Sequence, residues 1–209
     1  MSVTVKQYTN LYKAFEYFNK KLFNGELPEI FITLQRKSKA AGYYSPARYV
    51  YREGKKENIP EIALNPETFV GEDDEYILSV LVHEMCHHWQ QFFGDAPKRV
   101  YHDREWGGKM KEIGLQPSNT REPDGKETGA SMNHYVIQGG KFEIACGAFL
   151  LDGKKLDLEA ITPTKEQKER KKTREKFVCQ SCMQSVQAKK TANIMCGDCR
   201  ETMVIEEGD

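Results

Sequence analysis

The sequence predicts an α+β fold in which a small mixed sheet packs on a central helix, followed by a small metal-stabilised domain. Apolar residues recur every three or four positions in residues 3–23 and 76–93, which indicates two amphipathic helices. Short β-branched and aromatic runs lie between them, separated by turn residues. This order is typical of an antiparallel or mixed sheet rather than of repeated β-α-β units. Two Cys-x-x-Cys pairs close the chain.

The N-terminal part is predicted to hold one helix and four short strands. The helix runs from Val3 to Phe23 and ends at Asn24-Gly25, because glycine adopts the left-handed conformation that commonly terminates helices. Residues 53–56 form a turn, and Asn65-Pro66 closes the last strand. The predicted strands are residues 30–34, 42–44, 48–51 and 59–64, of which the second and third flank Ser45-Pro46.

The central helix begins at Asp73 or Asp74, either of which could cap it, and ends at Gly94. A shorter helix that ends at Gly114 follows. Its apolar face carries Trp106, Met110 and Ile113. Residues 116–131 are polar and predict a long loop. Residues 134–137 and 142–151 predict two further strands around Gly139-Gly140.

Composition limits the classes of protein that fit. The 209 residues suit one medium domain and a small appendage, with 31 basic against 31 acidic residues. The expected boundaries are residues 1–163 for the domain, 164–177 for a linker and 178–209 for the appendage. We find no run of about 18 apolar residues and no secretory signal, so we expect a cytoplasmic protein, nucleoid-associated if bacterial.

The central helix contains His83-Glu84-x-x-His87. At about 100° per residue, His87 lies roughly 40° round from His83, and Glu84 roughly 60° beyond His87. These three polar side chains therefore share one side of the helix, as a zinc-dependent hydrolase requires. The apolar residues on the opposite arc are Leu78, Val82, Met85, Trp89 and Phe93.

A catalytic zinc needs a third protein ligand. His102 follows His87 by fifteen residues, beyond a turn, which allows the chain to return over the helix. Glu105 is the alternative ligand, since a carboxylate also suits zinc. Asp103 and Glu105 could otherwise support the ligands as neighbouring carboxylates.

The two other histidines, His88 and His134, are weaker candidates as ligands of this metal. His88 lies roughly 100° round from His87, so we expect it to flank the site or face the substrate. His134 is more simply a strand histidine. Three neutral imidazoles would leave a zinc position open, with Glu84 as general base. Tyr135 or His134 could assist at the oxyanion.

The C-terminal cysteines predict a second, closed metal site. Cys179-x-x-Cys182 and Cys196-x-x-Cys199 can surround one structural zinc in a zinc ribbon. Cys86 and Cys146 are interpreted as small buried apolar residues.

The linker before the ribbon is strongly basic. Residues 165–176 hold seven basic and three acidic residues and no apolar one. This stretch is either a solvated helical linker or an arm that contacts nucleic-acid phosphates. The candidate contact residues are Lys168, Arg170, Lys171, Lys172 and Arg174.

Four segments of the chain form a pattern that is shared with a known family. They are Val82-His83-Glu84-Met85-Cys86-His87-His88-Trp89, His102-Asp103-Arg104-Glu105-Trp106, Met110-Lys111-Glu112-Ile113-Gly114-Leu115 and Phe18-Asn19-x-x-Leu22-Phe23-Asn24-Gly25-Glu26-Leu27-Pro28. In these segments the chain resembles the SprT-like family of zinc metallopeptidases. The four-cysteine ribbon resembles that of compact bacterial or phage members.

The resemblance implies a zincin-like fold, with His83, His87 and His102 as zinc ligands and Glu84 as the catalytic acid/base. The family includes Spartan, a DNA-dependent protease that degrades proteins crosslinked to DNA. It thus implies a zinc metalloprotease that acts on DNA-associated proteins and binds DNA, especially single-stranded DNA, through its linker and ribbon. The alternative is a non-catalytic zinc protein that binds nucleic acid or acts as an adaptor.

Overall fold

A computed structural model describes residues 2–36, 40–54, 57–99, 101–153 and 174–206. The chain divides into two compact units, Met1–Thr162 and Pro163–Asp209. Most of the predicted linker, up to residue 173, lies outside the described residues, so the detailed domain boundaries stay predictions.

The described elements of the first unit combine helices with small sheets, as predicted. In chain order they are α1 (Val3–Leu22), β1 (Phe31–Leu34), β2 (Gly42–Val50), β3 (Asn58–Leu64), a 3₁₀ turn (Pro66–Thr68), α2 (Asp74–Phe93), α3 (Arg104–Glu112), β4 (Leu115–Ser118), β5 (Asn133–Val136) and α4 (Lys141–Leu151).

The main sheet is mixed and has the strand order β1-β3-β2. Strand β3 pairs parallel with β1 and antiparallel with β2. The two strands predicted around Ser45-Pro46 are one continuous strand, β2. Its register against β3 shifts between Ser45 and Tyr49. Proline cannot donate to a ladder, so Pro46 accounts for an irregularity there rather than for a break in the strand.

The core of the first unit lies between the helices and the sheet. Helix α1 buries one face, and the ring of Phe18 lies 5.7 Å from that of Phe142 and 5.5 Å from that of Phe149. Full burial of such a side chain contributes about 1.5–3 kcal/mol. On α2 the predicted apolar arc is buried at Leu78, Val82 and Met85. This packing holds α2 by one side and leaves its polar side for a cleft.

The start and end of α2 match the prediction. The Asp73 carboxylate accepts a hydrogen bond from the Tyr76 amide at 2.7 Å, and Gly94 is the C-cap. Phe93 was predicted on the buried arc but is half exposed. It occupies the last residue of the helix, next to the cap.

The strand predicted at residues 142–151 is wrong, because these residues form helix α4. Its buried residues, Phe142, Ala145, Cys146 and Phe149, follow the helical spacing of three and four. Most of the run is apolar, and a short apolar run does not by itself distinguish a strand from a buried helix. The long loop predicted at residues 116–131 is also shortened, because β4 takes up its first residues and pairs antiparallel with β5.

The second unit is a small sheet with strand order β7-β6-β8. Its strands are β6 (Glu175–Val178), β7 (Ser185–Ala188) and β8 (Val204–Ile205), and both pairings are antiparallel. Phe177 and Met203 pack with Cys179 and Cys196 in its small core. Across both units, no helix in the described ranges has the length and apolarity needed to cross a membrane.

Candidate metal centre

Three histidines come together over α2. His83 and His87 lie one turn apart on the helix, and His102 directly precedes the N-cap of α3. One ring nitrogen from each lies within 4.8 Å of those of the other two. Three such imidazoles, with room for a further ligand, fit the donor set of a catalytic zinc.

His102 is held by the polar loop that follows β4. Its backbone amide donates to the Gly129 carbonyl at 2.8 Å, and the Gly129 amide donates back at 3.0 Å. The His102 ring Nδ1 also lies 3.0 Å from the Gly129 carbonyl oxygen. Because a carbonyl can only accept, Nδ1 carries the proton and Nε2 keeps its lone pair. The loop therefore fixes both the position and the tautomer of His102.

Trp106 packs against all three histidine rings. Its ring centre lies 4.8 Å from that of His83, 5.2 Å from that of His87 and 4.5 Å from that of His102. The side chain is fully buried. The sequence placed Trp106 only on an apolar helix face, whereas the structure makes it a wall that restricts the rotation of the three imidazoles.

Burial keeps these histidines neutral. It lowers the pKa of His83 well below 6.5 and lowers the pKa of His87 to about 3, and the repulsion that would arise if neighbouring histidines were also protonated acts in the same direction. Burial also lowers the pKa of His102, although the Gly129 carbonyl opposes this shift. A neutral imidazole offers the lone pair that a metal needs.

Glu84 lies in the same cleft and is 4% exposed. The cleft has a volume of about 590 Å³ and is partly open to solvent. Strand β2 approaches the carboxylate so closely that a Cβ built on Gly42 would lie 2.8 Å from the Glu84 Oε1 atom. Lys98 and Arg99 also line this cleft.

Asp103 and Glu105 serve the packing of α2 on α3. The Asp103 carboxylate caps α3 by accepting from the Trp106 amide at 2.9 Å. Gln90 Nε2 donates to both carboxylates at 2.9 Å, and the Asp95 amide donates to Glu105 at 2.8 Å. Glu105 thus contacts Gln90 and the residues that follow α2, and it is not part of the three-histidine group. Asp103 also acts on His102 electrostatically, because its charge raises the pKa of that ring.

His88 is fully buried and is not among the residues that line the cleft, so the expectation that it could face the substrate is wrong. Its Nε2 lies 3.0 Å from the Pro28 carbonyl oxygen and therefore donates to it, and its Nδ1 lies 3.2 Å from the Tyr44 hydroxyl. His88 thus joins α2 to β2 and to the segment before β1.

His134 lies on β5, as predicted, but its contacts were not predicted. Its Nδ1 lies 3.1 Å from Nδ1 of His83, and its Nε2 lies 2.7 Å from the Ser79 hydroxyl. Burial and the charge of Arg121 lower the pKa of His134 to about 3. Both ring nitrogens face protein groups, so His134 does not reach towards a substrate oxyanion. Tyr135 alternates to the other face of β5.

The four ribbon cysteines form the second group. Their sulfur atoms all lie within 4.8 Å of one another, and those of Cys182 and Cys196 are 3.6 Å apart. Four thiolates in this arrangement fit a closed structural zinc site. Hydrogen bonds from the amides of Cys182 and Ser181 lower the pKa of Cys179 to about 7, which favours the thiolate that a metal binds. In the metal-free group, the hydrogen bond with Cys182 and burial raise the pKa of Cys199 to about 12, so Cys179 is the thiol that ionises more readily of the two.

The two halves of the ribbon repeat one backbone pattern. The amide four residues after the first cysteine of each pair donates to that cysteine's carbonyl at 2.9 Å, at Met183 and at Arg200. Both residues have positive φ angles, 60° and 56°. The repeated turn presents two cysteines from each half to a common centre. Cys86 and Cys146 are buried in the first unit, as predicted.

The predicted nucleic-acid contacts fall almost entirely outside the described residues. Lys168, Arg170, Lys171 and Lys172 lie there, and Arg174 is described as exposed, just before β6.

Two comparisons identify what the chain resembles. The SprT-like family profile matches residues 11–127, which is more than half of the chain and includes the three histidines and Glu84. A Salmonella typhimurium protein described as "Uncharacterized protein in mucB 3'region" is 48% identical over 50 residues, covering 24% of this chain and 68% of that protein. The chain belongs to the SprT-like family.

Proposed function

We propose that the first unit is a zinc metalloprotease. The observation that carries the proposal is the placement of a buried carboxylate, Glu84, beside three converging neutral histidines in one open cleft. His83, His87 and His102 would hold the zinc, which when bound supplies a Lewis acid and lowers the pKa of water. Membership of a family of metallopeptidase type supports the same conclusion.

The chain's own residues have separable roles in peptide hydrolysis. Glu84 accepts a proton from the attacking water and returns it to the leaving amine, so that the carboxylate is restored at the end of each turnover. Trp106 and the Gly129 carbonyl hold the histidine rings in place. The open cleft admits a chain segment rather than enclosing a small molecule, which favours a polypeptide substrate.

We further propose that the substrates are proteins bound or crosslinked to DNA. The support is electrostatic: residues 165–176 carry seven basic and three acidic residues, enough for several phosphate contacts. The described part of the ribbon, residues 178–206, is balanced, with three basic and three acidic residues. Most of the attraction to DNA is therefore assigned to the linker.

The test uses the full chain, purified with zinc, and a lysine-rich DNA-binding protein as substrate. Cleavage is followed by gel electrophoresis without DNA, with single-stranded DNA and with double-stranded DNA. We expect cleavage that increases with DNA, most with single-stranded DNA, and is lost in Glu84→Gln. Glu84→Gln keeps the volume and polarity of the side chain but cannot take the proton.

The outcomes separate the two parts of the proposal. Cleavage that is independent of DNA would support the assignment as a protease and contradict the proposal that its substrates are DNA-associated proteins. No cleavage under any condition, with zinc bound and DNA binding intact in wild type and Glu84→Gln, would favour the non-catalytic nucleic-acid-binding or adaptor protein.

A further inference from the structure

We propose that His134 is a positioning residue of the metal centre, which accepts the Nδ1 proton of His83 and so turns the Nε2 lone pair of His83 towards the metal. The inference rests on the proposed function, because it assigns His134 a role towards the same zinc. It is carried by a chain of hydrogen bonds from α2 to β5 and back, which joins Tyr76, Ser79, His134 and His83 in that order. The two bonds made by His134 are buried.

The Tyr76 carbonyl, at one end of these hydrogen bonds, determines which atom is the donor in each of them. The Ser79 hydroxyl lies 2.7 Å from the Tyr76 carbonyl oxygen, which can only accept. Ser79 therefore donates its single hydroxyl proton to the Tyr76 carbonyl oxygen. The second partner of the Ser79 oxygen, His134 Nε2 at 2.7 Å, must be the donor in that contact.

The remaining steps follow from the chemistry of a neutral imidazole, which carries one proton. With that proton on Nε2, the Nδ1 atom of His134 has only a lone pair. Its contact with His83 Nδ1, at 3.1 Å, is then a hydrogen bond that His83 donates. The lone pair of His83 is left on Nε2, the nitrogen free of this contact.

His83 and His102 thus have their tautomers set by outside partners of different kinds. His102 Nδ1 donates to the Gly129 carbonyl, a backbone group that can act only as an acceptor. The partner of His83 is a side chain, and it accepts only because Ser79 fixes its proton on the far nitrogen. A neutral His134 also orients His83 without adding negative charge, whereas a carboxylate would reduce the positive charge at the metal.

Three variants separate hydrogen bonding from packing. His134→Leu fills most of the space but removes the acceptor. His134→Gln keeps one acceptor and one donor on the same side chain. Ser79→Ala removes the group that fixes the His134 tautomer while changing very little volume. Mutation of a residue that hydrogen-bonds to a metal ligand typically lowers the metal affinity 10- to 100-fold.

The experiment counts zinc ions on the full chain by native mass spectrometry during titration with a chelator. Reactivity of the ribbon cysteines towards a thiol reagent shows when the ribbon zinc leaves, which assigns the other release to the histidine site. We expect wild type to hold two zinc ions, and His134→Leu to lose the histidine-site zinc at a 10- to 100-fold lower chelator concentration. Ser79→Ala shifts in the same direction by less, and His134→Gln stays nearer wild type.

Each result has a distinct meaning. Only one zinc on wild type, at the ribbon, would contradict the proposed function itself. Two zinc ions on wild type with unchanged affinity in His134→Leu would overturn the role of His134 alone. Equal weakening in His134→Leu and His134→Gln would also overturn it, since packing would then be the cause. If His134→Leu does not fold, Ser79→Ala decides, and an unchanged affinity there overturns the inference.

Discussion

Gly42 and Glu84 are in such close contact that no side chain fits between them: a Cβ on Gly42 would lie 2.8 Å from Glu84 Oε1 and 3.1 Å from Glu84 Cγ. Strand β2 thereby forms one wall against the proposed general base. The absence of a side chain at residue 42 is a condition for the present position of the carboxylate.

Gly42→Ala should therefore displace the Glu84 carboxylate while the protein keeps its fold and its zinc. A displacement of about 1 Å in a catalytic group can lower the rate roughly 10²-fold. The measurement is the rate of protein cleavage at saturating zinc, together with a zinc count. Gly147→Ala is the matched control, because a Cβ on this α4 glycine meets nothing within 4 Å. Equal activity of the two variants would contradict the importance of the Gly42 contact.

His102→Gln and Glu105→Gln distinguish the two candidate third ligands. We expect His102→Gln to reduce the zinc count from two to one, since its ring nitrogen lies with those of His83 and His87. Glu105→Gln should keep both ions and destabilise the fold by about 1–2 kcal/mol, because Gln90 and the Asp95 amide lose a charged acceptor. Atomic absorption and urea unfolding measure the two effects. A lost zinc in Glu105→Gln would reverse the assignment.

Cys179→Ser should remove the ribbon zinc and leave the histidine site loaded. A sheet this short depends on its metal for folding. The second unit should therefore unfold, while the first unit keeps its melting transition. Zinc analysis and calorimetry test this, with Cys146→Ala as the control because Cys146 is a buried cysteine of α4 in the first unit and is not one of the four ribbon cysteines. Two zinc ions on Cys179→Ser would count against the four-cysteine site.

The metal-free protein should lose stability as the pH falls below about 6.5. Burial lowers the pKa of His87 and of His134 to about 3, so the unfolded chain takes up protons at a higher pH than the folded one. Above pH 6.5 these rings are neutral in both the folded and the unfolded state, so stability no longer depends on pH through them. Between 6.5 and 3 the free energy of unfolding should fall by on the order of 1 kcal/mol per pH unit and ring.

Urea unfolding of chelator-treated protein at several pH values measures this dependence. His134→Gln should show a shallower decline than wild type, because one buried titrating ring is gone. A free energy of unfolding that stayed constant between pH 7 and pH 5 would contradict the burial argument.

The elements that the sequence predicted correctly are those set by local spacing. Helix α2 and its caps at Asp73 and Gly94 follow from helical periodicity and from residues that cap their own turn. The failure at α4 has a physical reason as well. Its side chains are apolar on nearly every side, so neither a helical nor an extended period stood out, although the spacing of Phe142, Cys146 and Phe149 was a usable signal.

Spacing along one helix also placed His83, Glu84 and His87 together, because residues three and four apart share a face in any α-helix. The Cys-x-x-Cys pairs likewise needed only local turns. Tertiary structure alone decided the contacts between distant segments: Gly129 holding His102, β2 meeting Glu84 at Gly42, and His134 reaching His83 from 51 residues away. These contacts depend on how the sheets and loops pack, which no short-range pattern specifies. The sequence by itself determined the donor atoms of the two candidate metal sites. The fold decided which ring nitrogen of His83 and of His102 has a protein partner and which is left for a metal.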